Sequence, residues 1–194
     1  MSRVRAYVGL GSNVGDSEGT LARALEALDA LPLTRLVGVS RLYATRPVGV
    51  TDQPEFRNAV AALDVIAPDG AMGASNLLLQ LKGLEGRFGR KPRGHWGPRE
   101  LDLDLLVFGR WKGTLDEPMP LEVPHPEARR RLFVLAPLAD LAPGLVPPGW
   151  GETVATAAAR RRELEGPQAV RQVAIWAGAG WRPSQADAGG RQRK

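Results

Sequence analysis

Apolar and polar residues alternate along the first ten positions, Val4, Ala6 and Val8 against Arg3, Arg5 and Tyr7. This predicts a strand that runs into a turn at Gly9, Gly11, Asn13 and Gly15. Asp16 or Ser17 then caps a predicted helix whose Leu21, Leu25, Leu28 and Leu31 recur every three to four residues until Pro32. Residues 34–43, with Leu36, Val37, Val39 and Leu42, read as a second strand. Residues 56–66 read as a third, after a connector holding Pro47, Gly49, Asp52 and Pro54. From Asp69 to Phe88, Leu77, Leu78, Leu81, Leu84 and Phe88 lie on one helical stripe that stops at Gly89. Residues 101–108 alternate Leu101, Leu103 and Leu105 with Asp102 and Asp104, and form the clearest strand of the chain. The succession β-α-β-β-α-β predicts an α+β fold: a ferredoxin-like two-layer sandwich, with helices on one face of an antiparallel sheet.

Past residue 108 the pattern weakens. It suggests a short strand near Glu122 and Val123, a proline-bounded stretch over 124–148, an Ala/Arg helix at about 152–164 and a possible strand over 170–176, with residues 182–194 expected to be disordered. Charge divides the chain at the same place. Residues 1–159 hold 18 Lys+Arg and 18 Asp+Glu, whereas residues 160–194 hold 8 and 3, so the whole net charge of +5 sits in the tail. The expected organisation is one domain over 1–160 and a basic, partly disordered extension over 161–194, dispensable for chemistry unless residues 170–176 pack as a strand.

Composition narrows the chemistry. With no cysteine and only two histidines, disulfides, Cys-ligated zinc, iron–sulfur clusters, thiol nucleophiles and His-rich metal sites are excluded, so any metal is held mainly by carboxylates. No apolar run approaches the roughly 18 residues of a membrane helix, and the N-terminus lacks a signal-peptide pattern, so a cytoplasmic protein without membrane contact is expected. The electroneutral body is not the basic surface of a duplex-binding protein.

Asp102 and Asp104 are the sharpest chemical signal. Strand residues two apart point to one face, so both carboxylates project together and can share a hard cation such as magnesium. An edge strand with Asp on its wet side has the same pattern, but here Arg90, Lys91, Arg93 and Arg99 stand just upstream with no carboxylate among residues 86–99. Carboxylates for metal beside arginines for phosphate suit phosphoryl transfer. Two rivals share parts of this pattern. A ferredoxin-like sheet can present aromatics to single-stranded RNA, although aspartates on its clearest strand oppose phosphate. A phosphohydrolase or nucleotide-sugar transferase can use the Asp-x-Asp pair alone.

Four ordered segments carry a resemblance to a known family: 9–16 (Gly9 to Asp16), 43–49 with 52–58 (Tyr43 to Gly49, Asp52 to Asn58), 95–106 (His95 to Leu106), and 123–126 leading to 131–138 (Val123 to Pro126, Arg131 to Leu138). Together they resemble the 6-hydroxymethyl-7,8-dihydropterin pyrophosphokinases of folate biosynthesis, over residues 4–155. The resemblance implies a ferredoxin-like enzyme with long mobile loops over its active site. Such an enzyme transfers the pyrophosphoryl group of ATP to the pterin hydroxymethyl oxygen and leaves AMP, using two magnesium ions. It also implies small-molecule substrates, no nucleic acid and a monomer. Asp102 and Asp104 match its metal ligands. Arg90, Arg99, His125 and Arg131 match groups on ATP, with Arg93 or Lys91 as a further loop contact and Trp96 in the same loop. Phe56 and Phe133 match the aromatics that sandwich the pterin, Asn58 the amide that reads its edge, and Thr45 and Val48 the loop that completes the reading. The catalytic set is therefore expected to be Arg90, Arg93, Arg99, Asp102 and Asp104.

Overall fold

The computed structural model describes residues 1–47, 52–90 and 97–184. Its first half follows the sequence closely: β1 (Ser2–Ser12), α1 (Ser17–Asp29), β2 (Thr34–Val39), β3 (Leu42–Thr45), β4 (Phe56–Ala67), α2 (Ala71–Arg87) and β5 (Asp102–Phe108). Asp16 does cap α1, its carboxylate accepting from the Gly19 N–H at 3.0 Å. A 13-residue helix is marginal alone. Burying Leu21, Leu25 and Leu28 against the sheet contributes roughly 4.5–9 kcal/mol of transfer free energy, before entropy is subtracted.

The second strand expected over 34–43 is two strands. β2 and β3 lie end to end along β4, joined at buried Ser40. The Ser40 hydroxyl accepts from the Val60 N–H (2.9 Å) and donates to the Arg41 carbonyl (2.7 Å), so a side chain fills the ladder where the backbone turns aside.

The second half adds β6 (Gly113–Leu115), β7 (Leu121–Val123), α3 (Leu132–Leu141), α4 (Val154–Glu165), β8 (Val170–Trp176) and β9 (Trp181–Pro183). The main sheet runs β5-β1-β4-β3-β8-β9, with β2 also on β4; β6 and β7 form a separate pair. All the pairings are antiparallel.

The ferredoxin-like α+β expectation holds, with helices α1 and α2 on one face over Val4, Ala6, Val8, Leu10 and Leu63. The opposite face is covered too. Tyr7, Val60, Ala62 and Leu106 pack against Leu135 and Leu138 of α3 and Val154 and Ala157 of α4. The sequence hid α3 because prolines bracket it and Pro137 lies inside it; Leu132, Leu135 and Leu138 at helical spacing hold it by burial.

The boundary expected at residue 160 falls inside α4, and β8 is an interior strand of the main sheet between β3 and β9. Residues 182 and 183, expected to be disordered, belong to β9, which is tied to α1 by Trp181 Nε1 donating to the Glu18 carbonyl at 3.1 Å. The described part of the expected extension is thus woven into the domain. Among the described residues, no helix is long and apolar enough to cross a membrane.

Candidate active site

The register of the sheet builds the site. Gly11 lies opposite Asp102 and Gly9 opposite Asp104 across the β1–β5 pair, and on its other side β1 sets Gly11 opposite Asn58 of β4. Glycine keeps this floor low: a Cβ at Gly11 would stand 3.4 Å from Asn58 Oδ1 and 3.9 Å from the Asp102 Cβ. Above it opens a cavity of about 220 Å³. Eight of the expected site residues line it: Thr45, Phe56, Asn58, Arg99, Asp102, Asp104, Arg131 and Phe133. Phe56 and Phe133 are half-buried rather than sealed in the core. The Arg131 guanidinium lies 5.7 Å from the Phe133 ring centroid, a cation–π contact. Asn58 is buried, and its Nδ2 donates to Thr45 Oγ1 at 2.8 Å. That bond ties the orientation of the amide to Thr45.

His125 stands apart from this group. It lines a second cavity with Leu78, Lys82, Thr114 and Glu122, and among the described residues Asp104 borders both cavities. The Glu127 N–H donates to His125 Nδ1 at 3.2 Å, which leaves Nε2 to face a ligand. Val48, Arg93, Trp96 and the alternative Lys91 lie outside the described residues.

Arg90 joins the site through charge. Its Nη1 is 2.9 Å from Asp102 Oδ1, and Arg99 Nη1 is 3.6 Å from the same oxygen. Asp104 behaves differently. Burial first, and then the Asp102 carboxylate, push its pKa up from the ordinary carboxylate value; His125 and Lys82 pull it back down, and Glu85 adds to the rise. Two carboxylates that repel each other in a half-dry site fit a hard divalent cation. Magnesium takes one or two protein carboxylates and completes its shell with water and phosphate. Among the described residues, no group of three or more Asp, Glu or His side chains is arranged to hold a metal.

Three supporting residues escaped the sequence reading. Glu85 is buried on α2, and one carboxylate oxygen accepts from the Leu103 N–H (2.7 Å) and from Lys82 Nζ (2.7 Å), while the other accepts from Arg90. Lys82 also donates to the Leu103 carbonyl at 2.8 Å. β5 ends the sheet, so this ion pair satisfies its open edge at the residue between the two aspartates, where a further strand would otherwise bond. The signal was present as a charge at a core position, directly after Leu84 on the apolar stripe. The third is Asn13, whose Oδ1 accepts from the Arg99 N–H (2.8 Å) while its Nδ2 donates to Gln53 Oε1 (3.1 Å) and the Pro54 carbonyl (3.2 Å). It clasps the arginine side of the site to the loop that leads into Phe56.

Paired carboxylates ringed by arginines, beside a cavity with aromatic walls and a buried amide, are an enzyme-like arrangement able to hold a phosphate-bearing ligand and a flat polar ring. The sequence matches the family model of 7,8-dihydro-6-hydroxymethylpterin-pyrophosphokinase (HPPK) over residues 7–143. The chain is 49% identical over 142 residues to the 2-amino-4-hydroxy-6-hydroxymethyldihydropteridine pyrophosphokinase of Pseudomonas aeruginosa, covering 73% of this chain and 82% of that one. It is 43% identical over 157 residues to the protein of the same name from Methylorubrum extorquens, covering 80% and 92%. Among solved structures, an HPPK-DHPS chain of Plasmodium falciparum superposes with a TM-score of 0.72 at 13% identity, over 94% of this chain and 48% of that chain. An HPPK-DHPS solved in complex with substrates gives a TM-score of 0.74 at 11% identity, over 94% and 50%. This chain spans about half the length of those two, and at such identity they speak for the fold alone. The chain belongs to the 7,8-dihydro-6-hydroxymethylpterin-pyrophosphokinase family.

Proposed function

We propose that the two cavities meeting at Asp104 are the two substrate subsites of the family's reaction, the pterin in the first and the nucleotide in the second. The chain is an ATP-dependent pyrophosphokinase that acts on 6-hydroxymethyl-7,8-dihydropterin in folate biosynthesis. Its hydroxymethyl oxygen attacks the β-phosphorus of ATP, the bond from that phosphorus to the α,β-bridging oxygen breaks, AMP departs and the hydroxyl proton is lost. The observation that carries this reading is the shared wall: a carboxylate common to both cavities stands where the reacting groups must meet.

Asp102 and Asp104 would hold two magnesium ions, which would supply positive charge to offset that of the triphosphate. Phe56 and Phe133 stack on the pterin faces, and Asn58 reads its edge with Thr45 behind it. Arg90 and Arg99, paired with Asp102 in this structure, give up that carboxylate for phosphate oxygens when nucleotide arrives. His125 contacts the nucleotide in the second cavity, and Arg131, on the wall of the first beside Phe133, reaches its phosphates from the pterin side. Val48, Arg93 (or Lys91) and Trp96 take the roles that their family positions imply.

The test is product analysis. Purified protein with magnesium, ATP and 6-hydroxymethyl-7,8-dihydropterin is expected to form AMP in proportion to pterin consumed. ADP as the product, or AMP formed equally well without pterin, overturns the reading.

A further inference from the structure

The family match ends at residue 143, yet the strand at 170–176 borders the pterin side of the site. We infer that β8 is a positioning element for pterin recognition, acting through Val170 on Thr45 and Phe133; this rests on the assignment of Thr45, Asn58 and Phe133 to the pterin.

β3 has four residues, all buried, and pairs on one side with β4 through Tyr43↔Asn58 and Thr45↔Phe56. On its other side it pairs with β8 through Thr45↔Val170 and Ala44↔Arg171. Without β8 this short strand would be the edge of the sheet, and its last residue, Thr45, would be the first to fray. Thr45 cannot fray without consequence, because its hydroxyl accepts the Asn58 amide bond at 2.8 Å.

Val170 also reaches the aromatic wall. It is buried in a small cluster with Tyr43, Leu132 and Ala136, against which Phe133 and Ala169 pack. Two polar ties run the same way. Arg171 Nη2 lies 3.1 Å from Glu55 Oε2, next to Phe56, and Glu165 Oε1 accepts from the Leu132 N–H at 3.4 Å, at the start of α3. Both the amide and one ring of the pterin site therefore lean on a segment beyond the matched region.

The metal side does not. β5, with Asp102 and Asp104, is separated from β8 by β1, β4 and β3. A loosened β8 should misplace the pterin contacts and leave alone Asp102, Asp104 and His125, which carry the metal and nucleotide. Only Arg131, lying against Phe133, is a nucleotide contact near it, so nucleotide binding should change little, which a general loss of folding would not do.

The experiment uses the full chain with Val170→Ala, which trims the cluster and keeps the backbone ladder, Val170→Ile as the conservative variant, and Asn58→Ala as the control on the site. Pterin KM at saturating ATP is measured for each, together with calorimetric binding of a nonhydrolysable ATP analogue with magnesium and a thermal melt. Val170→Ala is expected to raise pterin KM roughly three- to tenfold, with analogue binding within about twofold of wild type, and Val170→Ile to restore wild-type KM. An unchanged pterin KM in Val170→Ala, while Asn58→Ala raises it, overturns the role of β8 and leaves the site standing. Parallel losses of pterin and analogue affinity overturn it too, since they mark a general effect. If Asn58→Ala also leaves pterin KM unchanged, the pterin assignment falls and takes this inference with it.

Discussion

Glu85→Gln keeps the shape of the side chain and removes one charge from a buried network. In the native chain the Glu85 side chain is 3% exposed and accepts from Leu103, Lys82 and Arg90. The carboxamide has one acceptor oxygen and two donors. If that oxygen keeps Leu103 and Lys82, its amino group meets the Arg90 guanidinium donor to donor, and turning the amide over moves the conflict to Lys82 and the Leu103 N–H. Breaking a buried charge pair from one side costs about 3–5 kcal/mol. Lys82 and Arg90 are each 26% exposed, so water recovers part of their hydration and the loss should lie near the lower end, about 3 kcal/mol. At roughly 2–4 °C per kcal/mol for a chain of this size, the melting temperature should fall by about 6–12 °C. Thermal and urea melts without ligand measure it. The magnesium dependence of turnover should shift as well, because the Leu103 backbone that sets the spacing of Asp102 and Asp104 is bonded to this carboxylate. A melting temperature within about 2 °C of wild type, with unchanged magnesium dependence, would refute the view that Glu85 organises the metal edge.

Asp102→Asn and Asp104→Asn should each keep a wild-type far-UV spectrum and lose at least about a hundredfold in turnover at saturating magnesium, since the amide retains shape and loses the charge that holds the cation; near-normal rates in either variant would remove that aspartate from the chemistry. Truncation after residue 165 removes β8 and β9 from the main sheet, so it should lower both melting temperature and solubility, as melts and sedimentation of the truncated chain can show. Tyr43, whose hydroxyl donates to Asp140 at 2.9 Å, has its pKa raised to about 12, chiefly by burial and then by the Asp140 charge and hydrogen bond, with Arg41 opposing. Because the folded pKa lies above the unfolded value of 10.0, its stabilisation is complete below pH 10 and is lost as pH rises toward 12. Denaturant midpoints over that window should fall more steeply for wild type than for Tyr43→Phe, and identical slopes would show that the tyrosine titrates the same in both states.

The elements that were legible from sequence alone are those that bury one face of a regular repeat. The leucines of α1 and α2 and the alternation of residues 101–108 reported their own burial, because a periodic stripe is a local property. The pairing of Asp102 with Asp104 was legible for the same reason, as a spacing of two on a strand fixes a common face. The family motifs added Thr45, Phe56, Asn58, Arg131 and Phe133, and the fold brings those five to one cavity. Other features needed the whole structure. α3 is held by the second face of the sheet despite Pro137, and no local pattern announces that face, since on β1 it is carried by Tyr7 between Arg5 and Gly9, and β4 is apolar on both sides and alternates only weakly. Glu85 stands out in sequence as a charge on the apolar stripe, but what it and Lys82 bond is not legible until the end of the sheet is known to fall at Leu103, where an open backbone edge gives both charges a partner. Val170 lies 125 positions from Thr45 in the chain, yet the two are opposite one another in the sheet. Only closure of the sheet decides such a contact, because its free energy comes from burial shared between segments that carry no mark of each other.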